Sequence, residues 1–293
     1  MSRCFVCLVT LAVCMSTSAT AVDYPVSGMV LTVDPSRNTF TASIQAIPGF
    51  MPAMAMPFEV GQRKDLDGLR PGAAVEFTLV VNQKSSRAER IRIVRYQSVE
   101  QDPLAVSRLK LLTQVAGAAP QRMLIAGDEV PDFRLTNQKR RPVALSDLRG
   151  KVVAINFIYT SCALPNFCLR IANNFGVLQK RFKAQLGRDL VLLTVTFDPV
   201  HDTPDVLEQY AGRWEADPAT WQFLTGPVPE VQAVCRLFGV DFFPDEGLMN
   251  HSLHTAIIDR QGRMVANIEG NTFTADQLGD LTATVLNSNK ARR

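Results

Sequence analysis

Two cysteines and a distant histidine are the residues of this sequence best suited to chemistry. Cys162 and Cys168 follow the apolar run KVVAINFIYT, and His251 lies far downstream in the stretch NHS. Thiolates prefer soft ions such as Cu(I) and Zn(II), and imidazole suits copper and zinc. If the predicted strand that follows His251 neighbours the strand before Cys162, the three residues can share one soft-metal ion. A redox couple or a plain stabilising disulfide on the cysteine pair remains open at this point.

The spacing of the two cysteines requires a break in regular structure. In a continuous helix their Cα atoms would lie roughly 9 Å apart along the axis, whereas a disulfide needs a separation of about 7 Å or less. Pro165 disfavours helix at Leu164. We therefore expect the segment ALPNF to form a loop that folds Cys168 back toward Cys162, at a strand end where open α/β sheets place their chemistry.

The other two histidines and Cys235 are less suited to bind a metal. His254 lies inside a predicted strand start, so we expect it to support the structure beside the site. His201, in DPVHDTP before a predicted helix, is expected to be a solvated loop residue. Cys235 shares an apolar helical face with Val231 and Phe238, which predicts a buried core thiol.

A methionine segment forms a second candidate site. Met51, Met54 and Met56 fall within six residues, and Pro52 and Pro57 exclude a helix there. On an extended chain Met54 and Met56 project to the same face. Thioethers prefer Cu(I), although methionine is also a common core filler.

The first 21 residues have the pattern of a secretory signal. Arg3 precedes the apolar run CFVCLVTLAVCM, and small residues end at Ala19-Thr20-Ala21. We expect export to a periplasm and cleavage after Ala21, which removes three of the six cysteines. In the alternative, a lipoprotein anchored at Cys14, the protein would lie at a membrane.

Composition sets limits on the class of protein. The chain has 293 residues, of which 46% are hydrophobic and 20% charged, with a formal net charge of +3. These values are typical of globular domains and give too little positive charge for a general nucleic-acid binder. The length favours two domains.

Residues 22–97 have the pattern of a small β domain. GMVLTV and TFTASI flank one turn, AAVEFTLVV and ERIRIV flank another, and IPGFMPAMAMPFEV between the two hairpins ends in a candidate fifth strand. Five short strands predict an all-β, OB-like five-stranded barrel. Residues 98–122 are expected to form a linker between the domains. It contains a predicted helix that begins at Asp102 and Pro103 and ends at Gly117.

Residues 123–293 change to α/β patterning. KVVAINFIYT and LVLLTVTFD are continuous apolar runs, as in strands buried on both faces, and helical spacing separates them, with a stop at Gly187. A helix around Cys235, a hairpin at 260–262 and a capping box formed by Thr274 and Gln277 follow. This order predicts a thioredoxin-like fold.

Three stretches of this second domain resemble the Sco/SenC family of copper-delivery proteins. They are GKVVAINFIYTSCALPNFC, TFDPVHDTPDVLEQYA and NHSLHTAIIDRQGR. The resemblance implies a thioredoxin-like fold on which Cys162, Cys168 and His251 bind copper. The usual family spacing has three residues between the cysteines; this chain has five, a pattern that recurs in a subgroup.

The first domain resembles the small periplasmic copper-binding proteins of the CusF type. Met54 and Met56 match the family's M-x-M pair, and Met51 matches a third group. The family histidine is missing, since Ile44 stands at its place. The resemblance implies a weak or transient copper site, or a docking module that no longer binds metal.

Two functions from different classes follow as expectations. The first is an exported copper chaperone that hands copper to an acceptor protein such as an oxidase subunit. The second is a thiol-disulfide oxidoreductase in which Cys162 attacks a partner disulfide and Cys168 resolves it, with a thiol reductant protein as a further partner. A peroxidase is less consistent with the sequence because Thr160 stands two positions before Cys162 rather than three.

Overall fold

The structure is a computed structural model that describes residues 21–83, 85–96, 123–162, 164–245 and 248–288. The predicted signal segment up to residue 20, the lipidation alternative at Cys14 and the whole predicted linker at 98–122 lie outside these residues. Within them, no helix is both long enough and apolar enough to cross a membrane.

A five-stranded antiparallel sheet forms the amino-terminal domain. Its strands are β1 (Val22–Asp34), β2 (Thr39–Ile44), β3 (Met54–Glu59), β4 (Ala74–Val81) and β5 (Ser86–Ile93). They pair in the order β3-β2-β1-β4-β5. Both predicted hairpins and the fifth strand are confirmed. A fully closed barrel is not confirmed, because β3 and β5 are the two edges of the sheet and do not pair along their length. One isolated bridge connects Val60, which follows β3, with Ala88 of β5.

The second domain is built on a mixed sheet. The strands that follow in the chain are β6 (Arg134–Asn137), β7 (Pro142–Ala144), β8 (Val152–Ile158), β9 (Leu190–Thr196), β10 (Trp221–Thr225), β11 (Phe242–Asp245), β12 (Leu248–His251), β13 (His254–Ile258) and β14 (Met264–Glu269). Seven of them pair in the order β14-β13-β8-β9-β10-β6-β7, while β11 and β12 form a separate hairpin.

The centre of this sheet is the predicted parallel pair. β8 and β9 run parallel, every residue of both strands is buried, and β13 lies antiparallel on the other side of β8. Apolar side chains on both faces explain the continuous hydrophobic runs. β10, β6, β7 and the β11–β12 hairpin were not predicted from the sequence.

Four helices cover the sheet in the described part of the chain: α1 (Arg170–Arg181), α2 (Pro204–Gly212), α3 (Val228–Phe238) and α4 (Ala275–Ser288). The capping box of α4 is confirmed: Thr274 N donates to Gln277 Oε1 at 2.9 Å, and Gln277 N donates to Thr274 Oγ1 at 3.1 Å. α1 ends at Arg181 rather than at Gly187, because Phe182 leaves helical geometry.

The two domains pack directly against each other. Met29 and Leu31 of β1 belong to the hydrophobic core of the α/β domain. Ser43 Oγ donates to Asp280 Oδ2 at 2.7 Å, and Gln277 Nε2 donates to the Ser43 carbonyl at 3.1 Å. The β-sheet domain is therefore seated on α4 by apolar and polar contacts.

Candidate metal centre

Cys162, Cys168 and His251 converge in space as the sequence predicts. One ligand atom from each residue lies within 4.8 Å of the others, and all three residues are buried. Both cysteines are free thiols rather than a disulfide. Two thiols and one imidazole at this separation can share one soft ion with little movement.

A short distorted turn brings Cys168 to Cys162. Cys162 follows the end of β8, and Leu164 is extended, as Pro165 predicts. The next residues differ from the expected loop, because Pro165–Leu169 winds as a five-residue π-helical turn with non-helical backbone angles at Phe167. The break at Phe167 directs Cys168 inward, where it has no solvent exposure.

The β11–β12 hairpin, which the sequence pattern does not predict, carries the imidazole. His251 is the last residue of β12, which pairs with β11 and leads into β13. Its Nδ1 lies 3.0 Å from the Ser252 carbonyl oxygen, which as an acceptor places the proton on Nδ1. Nε2 then faces Cys168 Sγ at 3.9 Å. The imidazole therefore presents a lone pair to the sulfur atoms.

Shared hydrogen bonding sets the charge state of the cysteine pair. The hydrogen bond from Cys168 lowers the pKa of Cys162 to about 4 against the opposing effect of burial. Burial and the neighbouring thiolate raise the pKa of Cys168. At neutral pH the pair therefore consists of a thiolate on Cys162 and a thiol on Cys168. Burial raises the pKa of Tyr159 to about 12, so this phenol stays neutral.

A buried carboxylate fastens the chain just before Cys162. Asp202 Oδ2 accepts a 3.0 Å hydrogen bond from Thr160 N, and the carboxylate also accepts from the hydroxyls of Thr160 and Thr196. Burial raises the pKa of Asp202. Asp202 is the second aspartate of the DPVHDTP motif, and the residue pattern alone does not indicate this role.

The other histidines and the third cysteine behave as expected. His201 has a 77% exposed side chain and pairs with Asp198 at 2.9 Å, whose hydrogen bond raises the pKa of the imidazole. His254 is buried, its Nδ1 lies 3.0 Å from Asn267 Oδ1, and burial lowers its pKa. Cys235 is fully buried in α3, and burial raises its pKa.

The methionine segment lies at the edge of the amino-terminal sheet. Met54 pairs with Ile44 and Met56 with Ala42, so both methionines share a sheet face, as predicted. Met54 is 45% exposed, whereas Met51 and Met56 are half-buried against the small core. Ile44, at the position of the family histidine, is buried and offers no ligand. The role of the three thioethers stays a prediction.

The fold and the site together define a class of protein. A parallel β8–β9 pair with covering helices, and a dithiol at the end of β8, characterise a thioredoxin-like protein whose added imidazole provides a soft-metal ligand set. The chain belongs to the SCO1/SenC family, whose family model matches residues 122–286. Residues 23–93 match the family described as copper binding periplasmic protein CusF. Both sequence resemblances are confirmed.

Individual relatives cover parts of the chain. A SCO1 protein homolog of Bacillus subtilis is 33% identical over 98 residues, which are 33% of this chain and 49% of that protein. A second relative, from Stutzerimonas stutzeri, is named as a copper-binding protein on a provisional basis. It is 27% identical over 170 residues, which are 56% of this chain and 79% of that protein.

Solved structures resemble the same region. Yeast Sco1 with copper bound has 23% identity and a TM-score of 0.47, and the match covers 59% of this chain and 96% of that chain. BsSco, described as a member of the Sco family of cytochrome c oxidase assembly proteins with a disulfide switch, has 24% identity and a TM-score of 0.48, with coverage of 57% and 99%.

Proposed function

We propose that this protein is an exported copper carrier that binds Cu(I) between Cys162, Cys168 and His251 and transfers it to an acceptor protein. The observation that carries the proposal is the convergence of two sulfurs and one ring nitrogen within 4.8 Å. Thiolate and imidazole donors suit Cu(I). The copper named in the descriptions of the Stutzerimonas protein and the yeast Sco1 structure supports the same metal.

Ligand exchange is the transfer step that this site favours. A copper thiolate can pass to an incoming thiolate or thioether when one protein ligand leaves as another arrives, so no oxidant or reductant is consumed. His251 is the ligand best placed to leave first, because a neutral imidazole carries no charge to separate from the metal. The acceptor we propose is a copper site of a respiratory oxidase under assembly, which the description of BsSco supports.

The amino-terminal domain has a supporting role in this proposal. We assign it residues 22–97, with a linker at 98–122 and the α/β domain at 123–293. The Val60–Ala88 bridge supports a barrel of the OB kind. Met51, Met54 and Met56 would hold Cu(I) weakly, since the sequence lacks the CusF histidine. The match to a periplasmic family supports a periplasmic location after cleavage at Ala21.

A second function rests on the unequal acidities of the two thiols. Cys162 as a thiolate attacks a partner disulfide and forms a mixed disulfide, which releases one partner thiolate. Cys168, once deprotonated, attacks Cys162 and releases the second partner thiolate. The resulting Cys162–Cys168 disulfide takes up two electrons from a thiol reductant protein to complete the cycle. The pKa of Cys162 near 4 favours this function.

An anaerobic Cu(I) titration against a competing chelator tests the carrier. The metal-free protein is compared with Cys162→Ser, His251→Ala and a triple Met51, Met54, Met56 variant. We expect one tight equivalent that Cys162→Ser abolishes, that His251→Ala weakens and that the triple variant retains. Undiminished binding in Cys162→Ser would refute the carrier. Full disulfide reductase activity in His251→Ala, without copper, would favour the oxidoreductase.

A further inference from the structure

Three aromatic rings surround the His251 imidazole. Its ring centroid lies 4.7 Å from that of Phe197, 5.6 Å from that of Tyr159 and 6.0 Å from that of Phe167. The three aromatic residues come from the end of β9, the end of β8 and the π-helical turn. His251 therefore contacts rings from three separate segments, two of which also hold the cysteines.

Phe197 is the nearest of these rings and the most firmly held. Its side chain is 1% exposed. Its ring stacks on Phe242 of β11 at 5.3 Å and lies 5.3 Å from the ring of Tyr159. The Phe197 ring thus sits between the hairpin that carries His251 and the sheet end that carries Cys162.

The Phe197 ring restrains a rotation of the imidazole that the hydrogen bond from Nδ1 leaves free. The hydrogen bond to the Ser252 carbonyl sets the direction in which Nε2 points, but the imidazole plane can still turn about that axis. A flat ring packed at 4.7 Å limits this rotation. The buried ring also fills space beside the imidazole that water could otherwise enter.

Solvent access to such a site affects the oxidation state of bound copper. Soft ligands in low number satisfy Cu(I), whereas Cu(II) seeks a tetragonal set with further nitrogen or oxygen ligands, water among them. The apolar shell around a metal controls solvent access and redox potential. Cys162, Cys168 and His251 are at most 7% exposed, so protein fills most of the space around the ligand atoms.

We propose that Phe197 is a positioning residue that holds the His251 imidazole against the two sulfurs, excludes water, and so makes the site favour Cu(I) over Cu(II). The proposal rests on copper binding at this site as proposed above. It gives the oxidation-state preference to a side chain that is not itself a ligand.

The test compares substitutions of Phe197 with a substitution of a second buried phenylalanine, Phe157. Phe197→Leu removes the ring beside His251. Phe157→Leu removes an equally buried ring of β8 that packs on Phe238 of α3 at 5.2 Å. Phe197→Tyr keeps the ring and serves as the conservative variant. Cu(I) and Cu(II) affinities are measured for each protein by competition with chelators.

We expect Phe197→Leu to lower the ratio of Cu(I) to Cu(II) affinity by roughly tenfold or more, with Phe157→Leu and Phe197→Tyr close to the wild-type ratio. An unchanged ratio in Phe197→Leu, or an equal loss in Phe157→Leu, would overturn the proposal. If Phe197→Leu fails to fold, Phe197→Ile takes its place with the same expectations.

A metal-free measurement separates this proposal from the proposed function. ¹⁵N NMR of the His251 side chain should show sharp ring signals in the wild-type protein and broadened or shifted signals in Phe197→Leu, because the imidazole plane can then turn. Cys168 should become more rapidly alkylated in the same variant. Loss of copper binding in Cys162→Ser tests the carrier, whereas an unchanged His251 spectrum in Phe197→Leu overturns the positioning role even if copper binds.

Discussion

His251 Nε2 lies 3.9 Å from Cys168 Sγ although the two residues are 83 positions apart in the chain. The contact joins the β11–β12 hairpin to the π-helical turn that precedes α1. Because each segment contributes only part of the ligand set, metal binding should tie the hairpin to the turn.

Removal of the imidazole should weaken copper binding while leaving the thiol pair intact. We expect His251→Ala to lose roughly tenfold or more in Cu(I) affinity, which is about 1.4 kcal/mol. The two cysteines should still oxidise to a disulfide in the variant. Chelator competition and thiol counting give the two measurements. His201→Ala is the control, since His201 is exposed and paired with Asp198; an equal loss there would contradict the assignment.

The reactivity of Cys162 should persist at acid pH. Because its pKa is lowered to about 4, the thiolate is present above that pH and is lost as the pH falls through it, whereas an ordinary cysteine needs a pH near about 8.5. Iodoacetamide alkylation of the metal-free protein, followed by peptide mass analysis, gives the profile. Cys168→Ala removes the largest stabilising hydrogen bond and should move the profile to higher pH. Cys235→Ala should leave it unchanged.

Asp202 should be needed to fix the segment before Cys162. The Asp202 carboxylate accepts three hydrogen bonds, from Thr160 N and from the hydroxyls of Thr160 and Thr196. Asp202→Asn keeps the shape of the side chain but replaces one acceptor oxygen with an NH₂ group, so that at least one of these donors loses its acceptor. We expect a loss of about 1–3 kcal/mol in the free energy of unfolding together with weaker Cu(I) binding. Denaturant melts and chelator competition measure the two effects.

Asp205→Asn is the matched control for that substitution. Asp205 is exposed and pairs with Arg140 at 2.7 Å, and such surface pairs contribute about 0–1 kcal/mol. A loss of stability in Asp205→Asn as large as that in Asp202→Asn would contradict the role given to the buried carboxylate.

Gly72 should be a sensitive position of the interface between the two domains. Its φ is +84°, and a β-carbon there would lie 2.9 Å from Ala266 Cβ and 3.0 Å from Ile268 Cγ1 of β14. Gly150 has a φ of +86° but open space around it. We expect Gly72→Ala to cost about 1–3 kcal/mol more than Gly150→Ala. Denaturant titration measures both; equal losses would mean that the domains do not press together at Gly72.

Much of the fold follows from local patterns in the sequence. The continuous apolar runs predict β8 and β9, the turn residues predict both hairpins of the first domain, and Thr274 with Gln277 predicts the start of α4. These signals are local because backbone conformation and one-sided burial repeat over a few residues. The hairpin β11–β12 was missed, since two strands of four residues give too short a pattern.

Residue types and positions identify the three candidate ligands, because three histidines and a pair of cysteines at a strand end leave few choices. How these residues meet depends on long-range contacts: the π-helical turn at Phe167, the aromatic rings around His251 and the Asp202 hydrogen bonds. These contacts join residues from separate elements. Their geometry depends on how whole elements pack, which neither residue type nor spacing along the chain specifies.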